Sequence, residues 1–166
     1  MNNGPLPAVR SVNNSSEESF LLMRFLRHAA RDLRLGIGSC AVLCPSNEVG
    51  KTIATDLKNG GLEATFMEGR NLDLLQKGVK VLTLNSAKGL EFPIVALAGF
   101  KGSRYEYYSL AVFDEEQEED IARSRRLIFV GMTRAMRALL VIVPAGTSSP
   151  LLAGFDDRFW NIVDHS

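Results

Sequence analysis

Apolar positions recur along part of the chain with a helical period. From Ser15 to Arg34, leucine, phenylalanine and alanine return every three or four residues, and Glu18 stands at capping-box spacing from Ser15. This pattern predicts a helix that begins at Ser15. Ser46 is expected to cap a second helix, which the glycines from Gly60 onward would end.

Other segments are short, almost continuous apolar runs of strand length, as expected for strands buried on both faces. A further helical pattern covers Asp114 to Met136. Strands that alternate with helices indicate βαβ units and a mostly parallel central sheet flanked by helices, so the predicted fold class is α/β. The predicted strands are 7–12, at an edge of the sheet, and 40–44, 62–67, 79–84, 94–99 and 138–143.

Length and composition indicate one soluble domain over residues 1–166, with an irregular tail at 145–166. No apolar run approaches the roughly 20 residues of a membrane span, and the first residues lack the features of a signal peptide, so a cytoplasmic location is expected. Basic and acidic residues both number 19, so any nucleic-acid contact must be local. Cys40 and Cys44 share one predicted strand, about 13 Å apart, and are expected to be buried thiols.

Two segments flanking the predicted sheet resemble conserved motifs of the UvrD/Rep-like superfamily 1 helicases. Residues 83–93, TLNSAKGLEFP, are similar to the fifth motif, and residues 126–136, RLIFVGMTRAM, are similar to the sixth. The wider resemblance covers about residues 39–144. It implies a RecA-like three-layer fold and, within it, the second of the two motor domains that hold ATP between them.

The resemblance implies an ATP site that this chain completes rather than forms alone. Arg134 would be the catalytic arginine finger, since a planar and permanently charged group stabilises the phosphoryl oxygens in the transition state. Glu91 would accept hydrogen bonds from the ribose hydroxyls. Gly89 would allow close backbone approach to the phosphates, and Lys88 would add positive charge. Gly131 would also belong to the ATP site.

The first part of the same loop would contact nucleic acid. By resemblance, Thr83, Asn85 and Ser86 would line the path of single-stranded DNA and couple it to the nucleotide. Asn85 stands where the family commonly has a histidine, and the short distance from Met67 to Val79 leaves no room for the large domain that many relatives insert there.

The implied ligands are ATP and Mg²⁺, with metal ligands expected from a first motor domain that this sequence does not contain. The partners would be single-stranded DNA and that first motor domain, in the same chain or in trans. The isolated chain is therefore expected to be inactive as an ATPase. Two alternatives remain: a catalytically silent module derived from a helicase that binds protein or nucleic acid, and a self-contained NTPase that uses Lys51 and Asp114.

Some features imitate functional motifs. Gly50-Lys51-Thr52 resembles the end of a phosphate loop, yet Pro45 occupies the position of its first glycine and offers no N–H, so an ordinary helix start is favoured. The acidic run 114–120 imitates a magnesium motif but follows the fifth motif, which favours a solvated helix start. A basic stripe on the first helix could contact nucleic acid, although a solvated helix face is the simpler interpretation; it comprises Arg24, Arg27, His28, Arg31 and Arg34. A tyrosine cluster could stack on bases, although a loop that packs its own rings is the simpler interpretation; it comprises Tyr105, Tyr107 and Tyr108.

Overall fold

A computed structural model of the chain describes residues 7–68, 72–100, 126, 131–144 and 161–163. Within these ranges, seven parallel strands form one sheet in the order β3-β4-β2-β5-β6-β1-β7. The predicted α/β class with a parallel central sheet is confirmed. The strands are β1 Ala8–Val12, β2 Cys40–Cys44, β3 Ala64–Phe66, β4 Val79–Thr83, β5 Phe92–Leu97, β6 Ala135–Pro144 and β7 Asn161–Val163.

Both predicted helices are present, and a short 3-10 turn, Ile37–Ser39, precedes β2. Helix α1 spans Ser15–Leu33, but its N-cap is Asn14, whose side chain accepts a hydrogen bond from the Glu17 N–H. The cap predicted at Ser15 therefore lies one residue too late, because the asparagine oxygen takes that role first. Helix α2 spans Asn47–Asn59 and is capped by Ser46, as predicted.

Three further expectations need correction. Strand β1 lies between β6 and β7 and is not an edge strand. The tail predicted to be irregular contributes β7. Arg126, Gly131 and Met132 are helical, but β6 begins at Ala135, so the helix predicted to reach Met136 ends before it. The acidic run and the tyrosine cluster lie outside the described residues.

The sheet has an apolar cluster on each face. Helices α1 and α2 cover one face, where Leu26 and Leu57 pack against Val42. On the other face, Leu84, Ala87 and the partly buried Leu90 belong to a cluster with the side chains of β2, β4, β5 and β6. The connection between β4 and β5, residues 84–91, thus lies on the face opposite the two helices.

This connection also runs from one edge of the sheet to the other. All strands are parallel, so their last residues form a carboxyl edge and their first residues an amino edge. Thr83 pairs with Cys44 at the carboxyl edge, whereas Phe92 pairs with Ala135 at the amino edge. Strand β5 has six residues, and at about 3.3 Å per residue it separates the amino edge from the carboxyl edge by roughly 17 Å. Only the first part of the connection therefore lies at the carboxyl ends of the strands, where open parallel sheets usually bind their ligands.

Candidate functional site

The beginning of the 84–91 connection is a tightly hydrogen-bonded turn. The Thr83 hydroxyl donates to the Ser86 Oγ over 2.9 Å and accepts a hydrogen bond from the Ser86 N–H over 3.1 Å. The Ala87 N–H donates to the Thr83 carbonyl, and the Leu84 N–H to the Cys44 carbonyl. Thr83 is buried and Ser86 half-buried, while Asn85 is exposed. Of the three candidate nucleic-acid residues, Asn85 offers its side chain to solvent most directly, and the two hydroxyls hold the turn.

The end of the connection is more open. Lys88, Gly89 and Glu91 are exposed. Gly89 has a φ of +81°, and a Cβ built at this position would meet no atom within 4 Å. The left-handed conformation, rather than crowding, therefore explains the glycine. Next to it, the backbone can be approached closely from solvent.

Arg134 is attached to this end of the connection by two hydrogen bonds, and a third joins it to the neighbouring Thr133. Its carbonyl accepts the Phe92 N–H at 2.8 Å. Its guanidinium donates to the Leu90 carbonyl at 3.4 Å and to the Thr133 hydroxyl at 3.1 Å. Arg134 is half-buried, so its charged end is held beside Glu91 at the amino edge without being enclosed. The sequence motifs did not reveal the Leu90 contact, because it depends on how β6 docks beside β5.

Gly131 links the two motif segments through packing. A Cβ at this position would lie 2.5 Å from a methyl carbon of Leu84 and 3.1 Å from one of Leu97, and both side chains are buried. The absence of a side chain at Gly131 allows the turn that precedes Arg134 to sit against the sheet. The structure therefore gives Gly131 a packing role.

The candidate residues are spread between the two edges of the sheet. Thr83, Asn85 and Ser86 lie at the carboxyl edge. Glu91 and Arg134 adjoin the first residues of β5 and β6 at the amino edge. Lys88 and Gly89 lie on the connection between the two edges, and Gly131 packs against Leu84. The guanidinium and the carboxylate at the amino edge suit a ligand with anionic and hydroxyl groups.

The segment that imitates a phosphate loop is an ordinary part of α2. Gly50 is buried, and a Cβ there would lie 2.5 Å from the Phe66 ring and 3.0 Å from the Cys44 sulfur. Lys51 is exposed on the first turns of the helix. It borders a shallow depression of about 400 Å³ that also contains Glu68 and Asp73, whose carboxylates disfavour phosphate. This depression lies beside β3, away from Arg134 and Glu91.

The two cysteines are free and buried, as predicted. Burial raises the pKa of both the Cys40 and the Cys44 thiols to about 12. The Cys44 Sγ lies 3.3 Å from the Ser46 carbonyl and 3.4 Å from the Leu82 carbonyl. These thiols stay protonated at neutral pH and serve packing rather than chemistry.

One buried charge was missed from the sequence. Lys80 is only 2% exposed, and its ammonium group donates to the Gly38 carbonyl at 2.6 Å and to the Gln76 carbonyl at 2.8 Å. Burial lowers the pKa of this lysine, against the opposing effects of Asp73 and Cys40. Lys80 joins the turns before β2 and β4. A lysine inside the apolar run 79–84 was the signal that could have revealed it.

Within the described ranges, no group of three or more His, Cys, Asp or Glu side chains is arranged to hold a metal ion. The assignment of the Mg²⁺ ligands to another motor domain stays a prediction. In the same part of the chain, no helix is both long and apolar enough to cross a membrane.

Known proteins resemble the chain in two ways. Residues 67–145 match the UvrD-like helicase C-terminal domain. The ATP-dependent DNA helicase PcrA of Leuconostoc citreum is 43% identical over 74 residues, which cover 43% of this chain and 9% of that protein. The PcrA of a Staphylococcus epidermidis strain is 36% identical over 66 residues, which cover 40% of this chain and again 9% of the relative. The similarity thus spans about a tenth of each relative.

Solved structures extend the likeness over almost the whole chain. The C-terminal domain of a possible DNA helicase from Lactobacillus plantarum has a TM-score of 0.71 and 26% identity, covering 96% of this chain and 86% of that one. The C-terminal domain of the DEAD-box protein Dbp5 has a TM-score of 0.58 at 13% identity, covering 97% and 91%, and so shares the fold. The match over residues 67–145 and the common fold together support a UvrD-like helicase C-terminal domain.

Proposed function

We propose that this chain is the second motor domain of an ATP-dependent DNA helicase and completes an ATP site whose other half belongs to a first motor domain. The observation that carries the proposal is the attachment of Arg134 to the connection that bears Glu91, through the Phe92 N–H and the Leu90 carbonyl. The finger and the ribose-binding group are thereby presented together at one edge of the sheet. The PcrA relatives are ATP-dependent DNA helicases, which supports ATP and DNA as the ligands.

In this proposal, each of the candidate ATP-site residues has one task. When the first motor domain closes, the Arg134 guanidinium contacts the γ-phosphate. Its hydrogen bond to the Leu90 carbonyl is then either broken or kept beside the new contact. Glu91 accepts hydrogen bonds from the ribose hydroxyls, and the ammonium group of Lys88 adds positive charge. Gly89 leaves the backbone open to approach, and Gly131 keeps the turn before Arg134 seated on Leu84. Mg²⁺ would be held by the first motor domain.

At the carboxyl edge, Asn85 would contact single-stranded DNA while Thr83 and Ser86 hold the turn that presents it. The 84–91 connection joins this edge to the amino edge. A displacement at Asn85 would then reach Arg134 through a short, well-packed segment. This is how strand position and nucleotide state would be coupled.

The test is Arg134→Ala in a protein that contains both motor domains. We expect ATP hydrolysis to fall by about 10³-fold or more, because the transition state loses the guanidinium proposed to contact the γ-phosphate, whereas ATP binding weakens much less. Steady-state kinetics would measure ATP hydrolysis, and a fluorescence titration would measure nucleotide affinity. Arg137→Ala, which removes an exposed arginine three residues further along, is the matched control and should leave turnover unchanged.

Undiminished hydrolysis in Arg134→Ala would mean that this domain does not supply the finger, and the silent binding module would replace the proposal. The isolated chain should hydrolyse ATP weakly or not at all. Robust turnover by the purified chain would contradict the half-site.

A further inference from the structure

The outward face of α1 carries an aromatic ring in line with a row of cations. At 100° per residue, Phe20, Arg24, Arg27 and Arg31 lie within one narrow stripe, on a different side of the helix from the buried Leu22, Leu26 and Ala30. Arg34, the C-cap residue, continues the stripe. All five stripe residues are exposed, and His28 borders them. The proposed ATP and DNA contacts use none of these residues.

Phe20 is the unusual member of the stripe. Its side chain is 65% exposed, although the adjoining helix positions bury their apolar side chains in the core. An exposed ring next to arginines loses hydrophobic stabilisation without any gain inside this domain. Aromatic rings combined with a cationic track are the features by which proteins bind single-stranded nucleic acid, since bases stack on the ring and arginines neutralise phosphates.

Internal partners leave the charge of the stripe largely available. Arg27 donates to the Gly60 carbonyl at 3.2 Å, a bond that does not neutralise its charge. Arg31 lies 3.6 Å from Asp32, but both side chains are 71% exposed, so water and salt screen this pair. The carboxylate of Glu17, at the start of the helix, accepts the Asn13 N–H. A chain with equal numbers of acidic and basic residues thus concentrates positive charge on one helix face.

The stripe also has a defined position relative to the candidate site. The Glu18 carboxylate accepts the Gly99 N–H at 3.3 Å, so the first turns of α1 lie at the carboxyl edge, as Thr83 does. The helix then returns to the amino edge before β2. From Phe20 to Arg34, the stripe is about 21 Å long at 1.5 Å per residue, enough for a few nucleotides.

We propose that this stripe, residues 20, 24, 27 and 31 of α1 with its C-cap residue Arg34, is a second binding surface for single-stranded DNA, on the sheet face opposite the 84–91 connection. Phe20 stacks on a base and the arginines contact successive phosphates. The choice of DNA rests on the proposed function, whereas the preference for a single strand rests on Phe20, since a duplex keeps its bases stacked on each other.

The experiment measures binding of fluorescein-labelled oligothymidylate to the full chain by anisotropy over a series of NaCl concentrations. Arg24→Gln/Arg31→Gln should weaken binding roughly tenfold and reduce the slope of log K against log salt by about 1.4, or 0.7 for each lost phosphate contact. Phe20→Ala should weaken binding roughly fivefold or more with the slope unchanged. Lys51→Gln/Lys77→Gln removes the same charge from exposed positions off the stripe and should change affinity less than about twofold.

Three results would overturn the inference: no binding by the unsubstituted chain, an equal loss in the lysine control, or tight binding of duplex together with a neutral Phe20→Ala. Asn85→Ala separates this inference from the proposed function. If only Asn85→Ala weakens binding, the stripe is wrong and the carboxyl-edge contact stands. If only the stripe variants weaken binding, the stripe stands and the Asn85 contact is wrong. Thermal unfolding of each variant checks that the exposed positions leave the fold intact.

Discussion

Two glycine-lysine pairs follow parallel strands in this domain, Gly50-Lys51 after β2 and Lys88-Gly89 after β4. In the first pair the glycine is buried in α2, and a side chain there would collide with the Phe66 ring. In the second pair the glycine is exposed, has a φ of +81° and has open space where a side chain would be. Gly50 is required because neighbouring side chains leave no space for a Cβ, whereas Gly89 is required because its backbone adopts a left-handed conformation.

The difference matters because either pair could be taken for part of a phosphate site. A phosphate-binding backbone must be open to a ligand, and the crowded Gly50 is not. Gly89 meets that requirement and lies on the same connection as Glu91. The surroundings of each glycine, rather than its neighbour in sequence, distinguish a packing position from a binding position.

The largest expected effect comes from filling the space at Gly50. Gly50→Val would place two methyl groups between Phe66 and Cys44, and overpacking of this kind should lower the free energy of unfolding by about 2 kcal/mol. Urea denaturation followed by circular dichroism would measure the change. Unaltered stability would mean that α2 does not pack closely on β2 and β3, and the distinction between the two glycines would lose its basis.

Features that depend on short stretches of sequence could be predicted well. Strand β2 has the expected bounds, and Ser46 caps α2 as expected, because a buried apolar run and a capping hydroxyl act locally. The motif resemblance assigned Arg134 and Glu91 to one ATP site, and the structure places both beside the first residues of paired strands.

Features that depend on distant pairing could not be predicted. Strand β7 is three residues long and forms only because β1 offers it an open side. The crossing of the 84–91 connection from one edge to the other follows from β4 and β5 both running parallel to β2, and these pairings join residues far apart in the sequence. The hydrogen bond from the Arg134 guanidinium to the Leu90 carbonyl joins residues 44 positions apart and depends on the same strand pairing.

A smaller effect is expected at the open glycine. Gly89→Ala forces a residue with a Cβ into the left-handed region and should cost about 1 kcal/mol of unfolding free energy. Gly36→Ala is the matched control, because Gly36 is exposed, has no atom within 4 Å of a built Cβ and has a φ of −74° that alanine adopts readily. Equal costs at both positions would show that the backbone conformation at Gly89 is not what requires the glycine.

The smallest effect on stability and on hydrolysis is expected for a substitution at Lys51, because a phosphate-loop lysine could not be replaced without loss of turnover. Lys51 is exposed on α2, so Lys51→Ala should change the free energy of unfolding by less than about 0.5 kcal/mol. In a protein with both motor domains, it should also leave ATP hydrolysis unchanged, whereas a phosphate-loop lysine contacts the transferred phosphate and its loss would abolish turnover. Lys88→Ala is the informative comparison: it is equally exposed and should be equally harmless to stability, yet it should reduce hydrolysis. If Lys51→Ala abolished turnover and Lys88→Ala did not, the self-contained NTPase would be favoured over the half-site, and the crowded glycine would have to move when nucleotide binds.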